Sequence, residues 1–116
     1  DALEMYRSVF ICEGALNALT IGDRAIATMG KAISQYQVNE LLKSSCQRYI
    51  ILLDPDAKKY AINLALKLVA YKKVKVVFLP EGKDVNDLGR KETLRLVYQT
   101  RYQSYQDLIQ IRNSLE

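Results

Sequence analysis

Two aspartates one residue apart follow an apolar run in the middle of the chain. Asp54 and Asp56 come after the segment 49–53, which is typical of a buried strand. Carboxylates placed so close together repel each other, and each loses hydration at the end of such a strand. A divalent cation removes both penalties, because hard oxygen ligands are the ones that Mg²⁺ prefers. The pair therefore predicts half of a metal site, whose other half comes from elsewhere in the chain.

Further acidic residues follow other predicted strands. Glu13 comes directly after the apolar segment 8–12, and Asp84 lies in the polar loop after the segment 74–79. Ligand sites of open parallel sheets form at the carboxyl ends of the strands. If both strands lie beside the strand 49–53, the acids converge on one edge of the sheet. Such a cluster needs cations, so we predict one or two Mg²⁺ ions there, with Mn²⁺ as a substitute.

The composition limits the chemistry. The chain has no histidine, which excludes His-based triads, histidine general bases and zinc hydrolase chemistry. Catalysis then has to use carboxylates, lysines, arginines and metal. The two cysteines lack Cys-x-x-Cys spacing and are too few for a disulfide framework, which fits a reduced, cytoplasmic setting. The formal net charge of +4 gives modest support to a polyanionic partner.

From the length and the first residue, we expect one domain of a longer protein. The 116 residues, 49% of them apolar, can form one real core. No apolar run approaches the ~18 residues of a membrane span, and the first residues do not resemble a signal peptide. The sequence begins without methionine, so we expect it to be a fragment.

Short apolar strands alternate with helices along the chain. This order predicts an α/β fold, a four-stranded mainly parallel sheet with helices on both faces. We expect the strand order 2-1-3-4, because it brings the acids to one edge. One long C-terminal helix is predicted over about 91–114. The strands are predicted at 8–12, 24–29, 49–53 and 74–79, and the earlier helices at about 15–19, 35–44 and 57–71.

The polar loop 80–89 separates two predicted parts. Residues 1–89 are expected to form the catalytic domain, and residues 90–116 a helical extension that packs on it. Tyrosines and apolar residues recur at spacings of three and four in the last helix, which favours a core stripe over an aromatic surface for DNA. The lysines between 58 and 75 either line a nucleic-acid path or form a solvated face.

Together the motifs resemble a Toprim domain, the fold shared by bacterial-type primases, type IA and type II topoisomerases and several nucleases. The resemblance covers about residues 8–89 and rests on three motifs in order: Glu13-Gly14, the Asp54/Asp56 pair and the loop 82–88. The loop and the stretch 25–34 are similar to the primase branch, including phage and plasmid primases and primase-helicases.

The resemblance implies a role for each matching residue. Glu13 matches the glutamate that is proposed to transfer a proton or to hold metal, and Asp54 and Asp56 match the metal-binding aspartates. Asp84 matches a further acid found in primases. Asn17 departs from the pattern, because many primases carry an acid four residues after the glutamate. This departure leaves the number of metal ions open.

The activity that the resemblance implies is synthesis of RNA primers on single-stranded DNA during replication, a DNA-directed nucleotidyl transfer. A primer 3′-hydroxyl would attack the α-phosphate of an incoming ribonucleoside triphosphate. Lys83 and Lys31 are the predicted phosphate contacts, and a replicative helicase, fused or separate, is the expected protein partner. The isolated fragment could be inactive while its site is intact.

Two other functions use similar residues. Another Toprim enzyme, a nuclease or a topoisomerase, would use the metal for phosphodiester cleavage, although the tyrosines of the last helix fit a topoisomerase nucleophile poorly. A signalling receiver domain also has acids and Mg²⁺ at strand ends, and Asp54 would then be its phosphoacceptor. Receivers normally carry adjacent acids after the first strand, whereas here Gly14 follows Glu13.

Each motif also has a purely structural interpretation. Asp56 could cap the following helix, and the segment from Lys83 to Asp87 could be a solvated loop. Asp87 is a better candidate for a helix cap than for a metal ligand. Only the combination of motifs in order favours a catalytic site.

Overall fold

The computed structural model of the chain describes residues 8–12, 25–27, 34–52 and 57–115. In these ranges it contains four strands and four helices. The strands are β1 (Ser8–Cys12), β2 (Ala25–Ala27), β3 (Arg48–Leu52) and β4 (Lys73–Val76). The helices are α1 (Gln35–Lys43), α2 (Lys58–Leu68), α3 (Val85–Gln99) and α4 (Tyr105–Ser114). No helix in the described part of the chain is both long and apolar enough to cross a membrane.

The described strands form one parallel sheet in the order β2-β1-β3-β4. Cys12 pairs with Ala27 on one side and with Leu52 on the other, and Ile51 pairs with Val76. The predicted α/β class with a parallel sheet is confirmed. The central strands β1 and β3 are almost continuously apolar because a parallel sheet of this kind is covered on both faces.

Helices cover both faces, and the alternation of side chains along each strand divides the core into two layers. Under α1, α2 and α4, the sheet contributes Ile11, Tyr49, Ile51, Val74 and Val76. Under α3, the sheet and the segment after β4 contribute Phe10, Cys12, Ile50, Leu52, Val77 and Leu79. Among the described residues, the sheet thus lies between two separate core layers.

The single long C-terminal helix predicted from the sequence is wrong. The structure has two helices here, α3 and α4, and α3 already begins at Val85. Ser104 starts α4 with a capping box, in which its side chain accepts from the Asp107 N–H and the Asp107 side chain accepts from the Ser104 N–H. A capping box satisfies backbone groups that a continuous helix would satisfy internally, so it favours a new helix start.

The segment between α3 and α4 lies along the outer edge of β4. The Gln103 side chain accepts from the Val76 N–H at 2.7 Å and donates to the Val76 carbonyl at 3.1 Å. The Gln103 backbone N–H donates to the Val74 carbonyl at 3.1 Å. An unpaired edge strand exposes a row of backbone donors and acceptors. Gln103 satisfies part of that row, which is the physical reason for the helix break.

Gly89 produces a kink near the start of α3. Its φ of 81° and ψ of 165° are non-helical, and they divide the first turn of α3 from the rest. A Cβ built at this position meets no atom of the described residues within 4 Å. Space is therefore available for a side chain, and only the backbone conformation opposes one.

Gly89→Ala should lower the free energy of unfolding by about 1–3 kcal/mol, the range for a non-glycine residue held in a sparsely populated backbone region. Urea denaturation measures the difference. Lys91→Ala, at an exposed position of the same helix, should change stability by less than about 0.5 kcal/mol. Equal stability of Gly89→Ala and the parent chain would contradict this explanation of the kink.

Lys72 and Lys75 belong neither to a solvated face nor to a nucleic-acid path. Their exposed fractions are 8% and 2%. Lys72 donates to the carbonyls of Ser44 and Cys46, just after α1, at 2.8 and 2.7 Å. Carbonyls at helix ends lack helical partners, and they attract cations. Both ammonium groups therefore lie inside the fold, where that of Lys72 binds carbonyl oxygens.

Candidate functional site

The carboxyl ends of β1 and β3 lie side by side at one edge of the sheet. Cys12 and Leu52, the last residues of these strands, are paired and fully buried. Neighbouring strands lie about 4.8 Å apart. Glu13 follows Cys12 directly in the sequence, and Asp54 follows Leu52 by two residues. The chain segments that carry the two acids thus begin at adjacent points of this edge.

Most of the predicted site residues lie outside the described residues. These are Glu13, Lys31, Asp54 and Asp56, together with Asn17. Within the ranges that the structure does describe, no three Cys, Asp or Glu side chains are grouped to hold a metal ion. The metal site therefore stays a prediction.

Asp84 is described, and it caps α3. Its Oδ1 accepts from the Asp87 N–H at 2.8 Å, while Asp87 Oδ2 accepts from the Asp84 N–H at 3.0 Å. Asp87 takes part in the capping box as its third helical residue, whereas the N-cap itself is Asp84, a structural role that the sequence did not predict. The box uses one oxygen of each carboxylate. Capping by Asp84 is therefore compatible with an additional ligand on its Oδ2.

Lys83 lies in the turn that leads into this cap. Its backbone N–H donates to the Pro80 carbonyl at 3.1 Å, and Gly82 between them has a φ of 76°. The Lys83 side chain is exposed and forms no ion pair with a described residue. The turn thus presents an ammonium group next to Asp84 in the chain.

Lys58 is a further charged residue at this edge, and sequence reasoning did not single it out for the site. It begins α2, two residues after Asp56 in the sequence. Its Nζ lies 3.1 Å from Glu81 Oε1 and 5.9 Å from the centroid of the Phe78 ring. Its position two residues after Asp56 was the feature of the sequence that could have marked it as a site residue. The contact with Glu81 connects the start of α2 to the turn that carries Lys83.

Tyr49 is a titratable group of the core and lies away from this edge. Burial raises the pKa of its phenol above the ordinary value. The hydroxyl donates to the Leu41 carbonyl at 2.7 Å and lies 2.6 Å from Ser44 Oγ. A phenol held neutral in this way stabilises the packing of α1 on β3 and is unsuited to proton transfer at neutral pH.

Known proteins are similar to this chain over most of its length. A family model described as Toprim-like matches residues 10–89. The DNA primase of Aquifex aeolicus (strain VF5) is 35% identical over 78 residues, which are 62% of this chain and 16% of that primase. The family match thus includes the carboxyl ends of β1 and β3, the turn at Gly82 and the cap at Asp84.

Solved structures of primases have a similar fold. The E. coli primase catalytic core matches with a TM-score of 0.70 at 20% identity, over 94% of this chain and 38% of that one. A primase catalytic domain bound to single-stranded DNA matches with a TM-score of 0.67 at 18% identity, over 88% and 36% of the two chains. The RNA polymerase domain of the Mycobacterium tuberculosis primase gives 0.65 at 20% identity, over 96% and 40%. The chain therefore spans well under half the length of each of these primases.

Proposed function

Because this chain belongs to the Toprim-like family, we propose that it is the catalytic module of a DNA primase, which synthesises RNA primers on single-stranded DNA. The observation that carries the proposal is the pairing of Cys12 with Leu52, which starts the segments of Glu13 and Asp54 at adjacent points. The 35% identity to a DNA primase favours the primase branch over other Toprim enzymes.

Asp54, Asp56 and Asp84 are the proposed ligands of Mg²⁺, with Mn²⁺ as a substitute. Their carboxylate oxygens are the donors that hard divalent cations prefer, and the helix cap occupies only Oδ1 of Asp84. A bound metal ion would supply charge stabilisation for the triphosphate and a lower pKa for the attacking hydroxyl. Asn17, in place of an expected acid, leaves open whether one or two ions bind.

The remaining roles concern the proton and the phosphates. A carboxylate oxygen of Glu13 is proposed to accept the proton of the primer 3′-hydroxyl or to contribute to metal binding. Lys83, with its exposed ammonium group, and Lys31 are proposed to contact the phosphates of the nucleotide or the strand. Phosphate is a common partner of lysine, which acts there as a point charge.

The boundary of the catalytic domain is proposed at Gly89, where α3 is kinked and the family match ends. Residues 1–89 would form the catalytic domain with strand order 2-1-3-4, and residues 90–116 the extension. Leu94 and Val97 of that extension pack in the core layer under α3, and Leu108 in the other layer. The proposed setting is the cytoplasm.

The proposed partners are single-stranded DNA, ribonucleoside triphosphates and a replicative helicase. The similar primase domain solved with single-stranded DNA supports the first of them. The positive formal charge of +4 also favours a polyanion.

The test is ribonucleotide incorporation by the longer protein that carries this domain. We expect labelled ribonucleotides to be incorporated on single-stranded DNA when Mg²⁺ or Mn²⁺ is present and not when it is chelated. DNA cleavage without incorporation would instead indicate a nuclease or a topoisomerase. Phosphorylation of Asp54 by a small phosphodonor would indicate a receiver domain, and either result would overturn the primase assignment.

A further inference from the structure

Phe78 presents an aromatic ring to solvent just after β4. Its neighbours Val77 and Leu79 are 1% and 4% exposed and lie in the core layer under α3, whereas Phe78 is 38% exposed. Alternate side chains of an extended segment point to opposite faces. Phe78 therefore lies on the face that α2 covers, near the start of that helix.

The backbone places Phe78 close to the end of β3, after which the proposed metal ligands Asp54 and Asp56 follow in the sequence. Ile51 pairs with Val76, and the Val77 N–H donates to the Ile51 carbonyl at 3.0 Å. Phe78 thus lies in the segment that continues β4, one residue beyond the level of Leu52 on β3. The segment that carries Asp54 and Asp56 begins at Leu52, so a nucleotide held there would have the Phe78 ring within its reach.

Lys58 adds a positive charge to the same surface. Its Nζ lies 5.9 Å from the Phe78 ring centroid, within the range in which a cation is attracted to an aromatic face. The side chains of Lys58 and Glu81, paired at 3.1 Å, are 30% and 81% exposed. An ion pair this exposed is weak. A phosphate can therefore replace Glu81 on Lys58 at little energetic cost.

We propose that Phe78 and Lys58 form a nucleotide platform, in which a nucleobase stacks on the Phe78 ring and the adjoining phosphate binds Lys58 Nζ in place of Glu81. Aromatic rings beside cations are the surfaces on which proteins hold single-stranded nucleic acid. The platform rests on the proposed function and deepens it, because it names the residues that hold a base next to the metal site. The base belongs to the single-stranded DNA rather than to a ribonucleoside triphosphate.

The test measures how tightly the chain binds a short fluorescent oligo-dT and an abasic oligonucleotide of equal length. Binding is measured by fluorescence anisotropy in the presence of EDTA. Chelation makes the measurement independent of metal. We expect the parent chain to prefer oligo-dT, and Phe78→Ala to weaken oligo-dT binding by about fivefold to a hundredfold and to remove that preference. Tyr71→Ala is the matched control, because Tyr71 is 73% exposed and precedes β4 at the opposite edge of the sheet. It should change neither affinity.

Substitutions of the charged pair test the phosphate contact. Lys58→Gln should make the slope of log affinity against log salt shallower by about 0.7, the value for one phosphate contact on a single strand. Lys67→Gln, at an exposed position near the other end of α2, should leave the slope unchanged. Glu81→Gln should tighten oligo-dT binding by about twofold to fivefold, because it releases Lys58. A purely structural ion pair predicts no gain in affinity.

Two further variants and a competitor complete the design. Phe78→Tyr keeps the ring and should keep oligo-dT binding. Phe78→Leu keeps apolar bulk but should lose oligo-dT binding. Circular dichroism verifies that each variant is folded.

ATP tests the origin of the base. ATP binding that weakens in Phe78→Ala assigns the base to the incoming nucleotide, and ATP binding that does not weaken assigns it to the DNA strand.

Several results would overturn the platform: no binding by the parent chain, equal affinity for the two oligonucleotides, unchanged binding by folded Phe78→Leu, or weaker binding by Glu81→Gln. The outcomes also separate the two proposals. If the protein synthesises primers but Phe78→Ala leaves its oligo-dT affinity unchanged, only the platform is contradicted. Phe78-dependent binding without primer synthesis contradicts only the proposed function.

Discussion

Asp54→Asn should reduce primer synthesis by about a thousandfold or more, because charge stabilisation by a bound metal is worth several kcal/mol. An amide has nearly the shape of the carboxylate but lacks its charge, so it binds a divalent cation more weakly. The assay is ribonucleotide incorporation by the longer protein that carries this domain. Mn²⁺ binding, measured by electron paramagnetic resonance, is an independent readout. We expect Asp54→Asn to weaken Mn²⁺ binding as well as primer synthesis.

The fold should tolerate this substitution. The buried part of β3 ends at Leu52, which is fully buried, and Asp54 comes two residues later in the sequence. We therefore expect thermal unfolding close to that of the parent chain. Glu40→Gln, an exposed acid on α1, is the control that should change neither synthesis nor Mn²⁺ binding. Primer synthesis at the parental rate by Asp54→Asn would refute the role assigned to Asp54.

Lys75→Met should lower the free energy of unfolding by about 2–4 kcal/mol, because it removes charge-assisted hydrogen bonds in the core. Lys75 is 2% exposed, and its Nζ donates to the carbonyls of Val97 at 2.8 Å and Thr100 at 3.1 Å. The ammonium also lies 4.7 Å from the centroid of the Tyr102 ring. Methionine keeps the length and the apolar stem but leaves the end of α3 without these donors. Methionine carries no charge that has to be desolvated on folding, and this gain offsets part of the loss.

Lys73→Met is the matched control for this prediction. Lys73 is on the same strand, two residues earlier, but its side chain is exposed and its Nζ lies 5.9 Å from the Tyr102 ring. Loss of this weaker contact should cost less than about 1 kcal/mol. Urea denaturation of both variants gives the comparison. Equal losses in Lys73→Met and Lys75→Met would show that the buried hydrogen bonds are not the source of the effect.

These lysines illustrate where the pattern of the sequence was insufficient. The alternation of charged and apolar residues in β4 is typical of a strand with one solvated face, yet Lys73 is exposed and Lys75 is buried. Both lie on the same side of the strand. The end of α3 covers only Lys75, and no local rule places that helix end there.

The break between α3 and α4 was missed for a related reason. Tyr98, Tyr102 and Tyr105 continue the spacing of three and four residues through it, so periodicity alone predicts one helix. A local signal was nevertheless present in Ser104 and Asp107, the two residues of a capping box. The decisive contact, between Gln103 and the edge of β4, joins residues 27 apart in sequence.

The sequence by itself determined the α/β class and the family. A continuously apolar segment such as 49–53 has to be covered on both faces, and Glu13, Asp54 and Asp56 stand in an order that resembles the Toprim motif. Their roles stay predictions, because these residues lie outside the described ranges. Only the tertiary structure decided that Asp84 is a helix cap and that Lys58 meets both Glu81 and Phe78. The physical reason is that these contacts depend on how α2 and the loop after β4 are packed against the sheet, and neither propensity nor spacing encodes that packing.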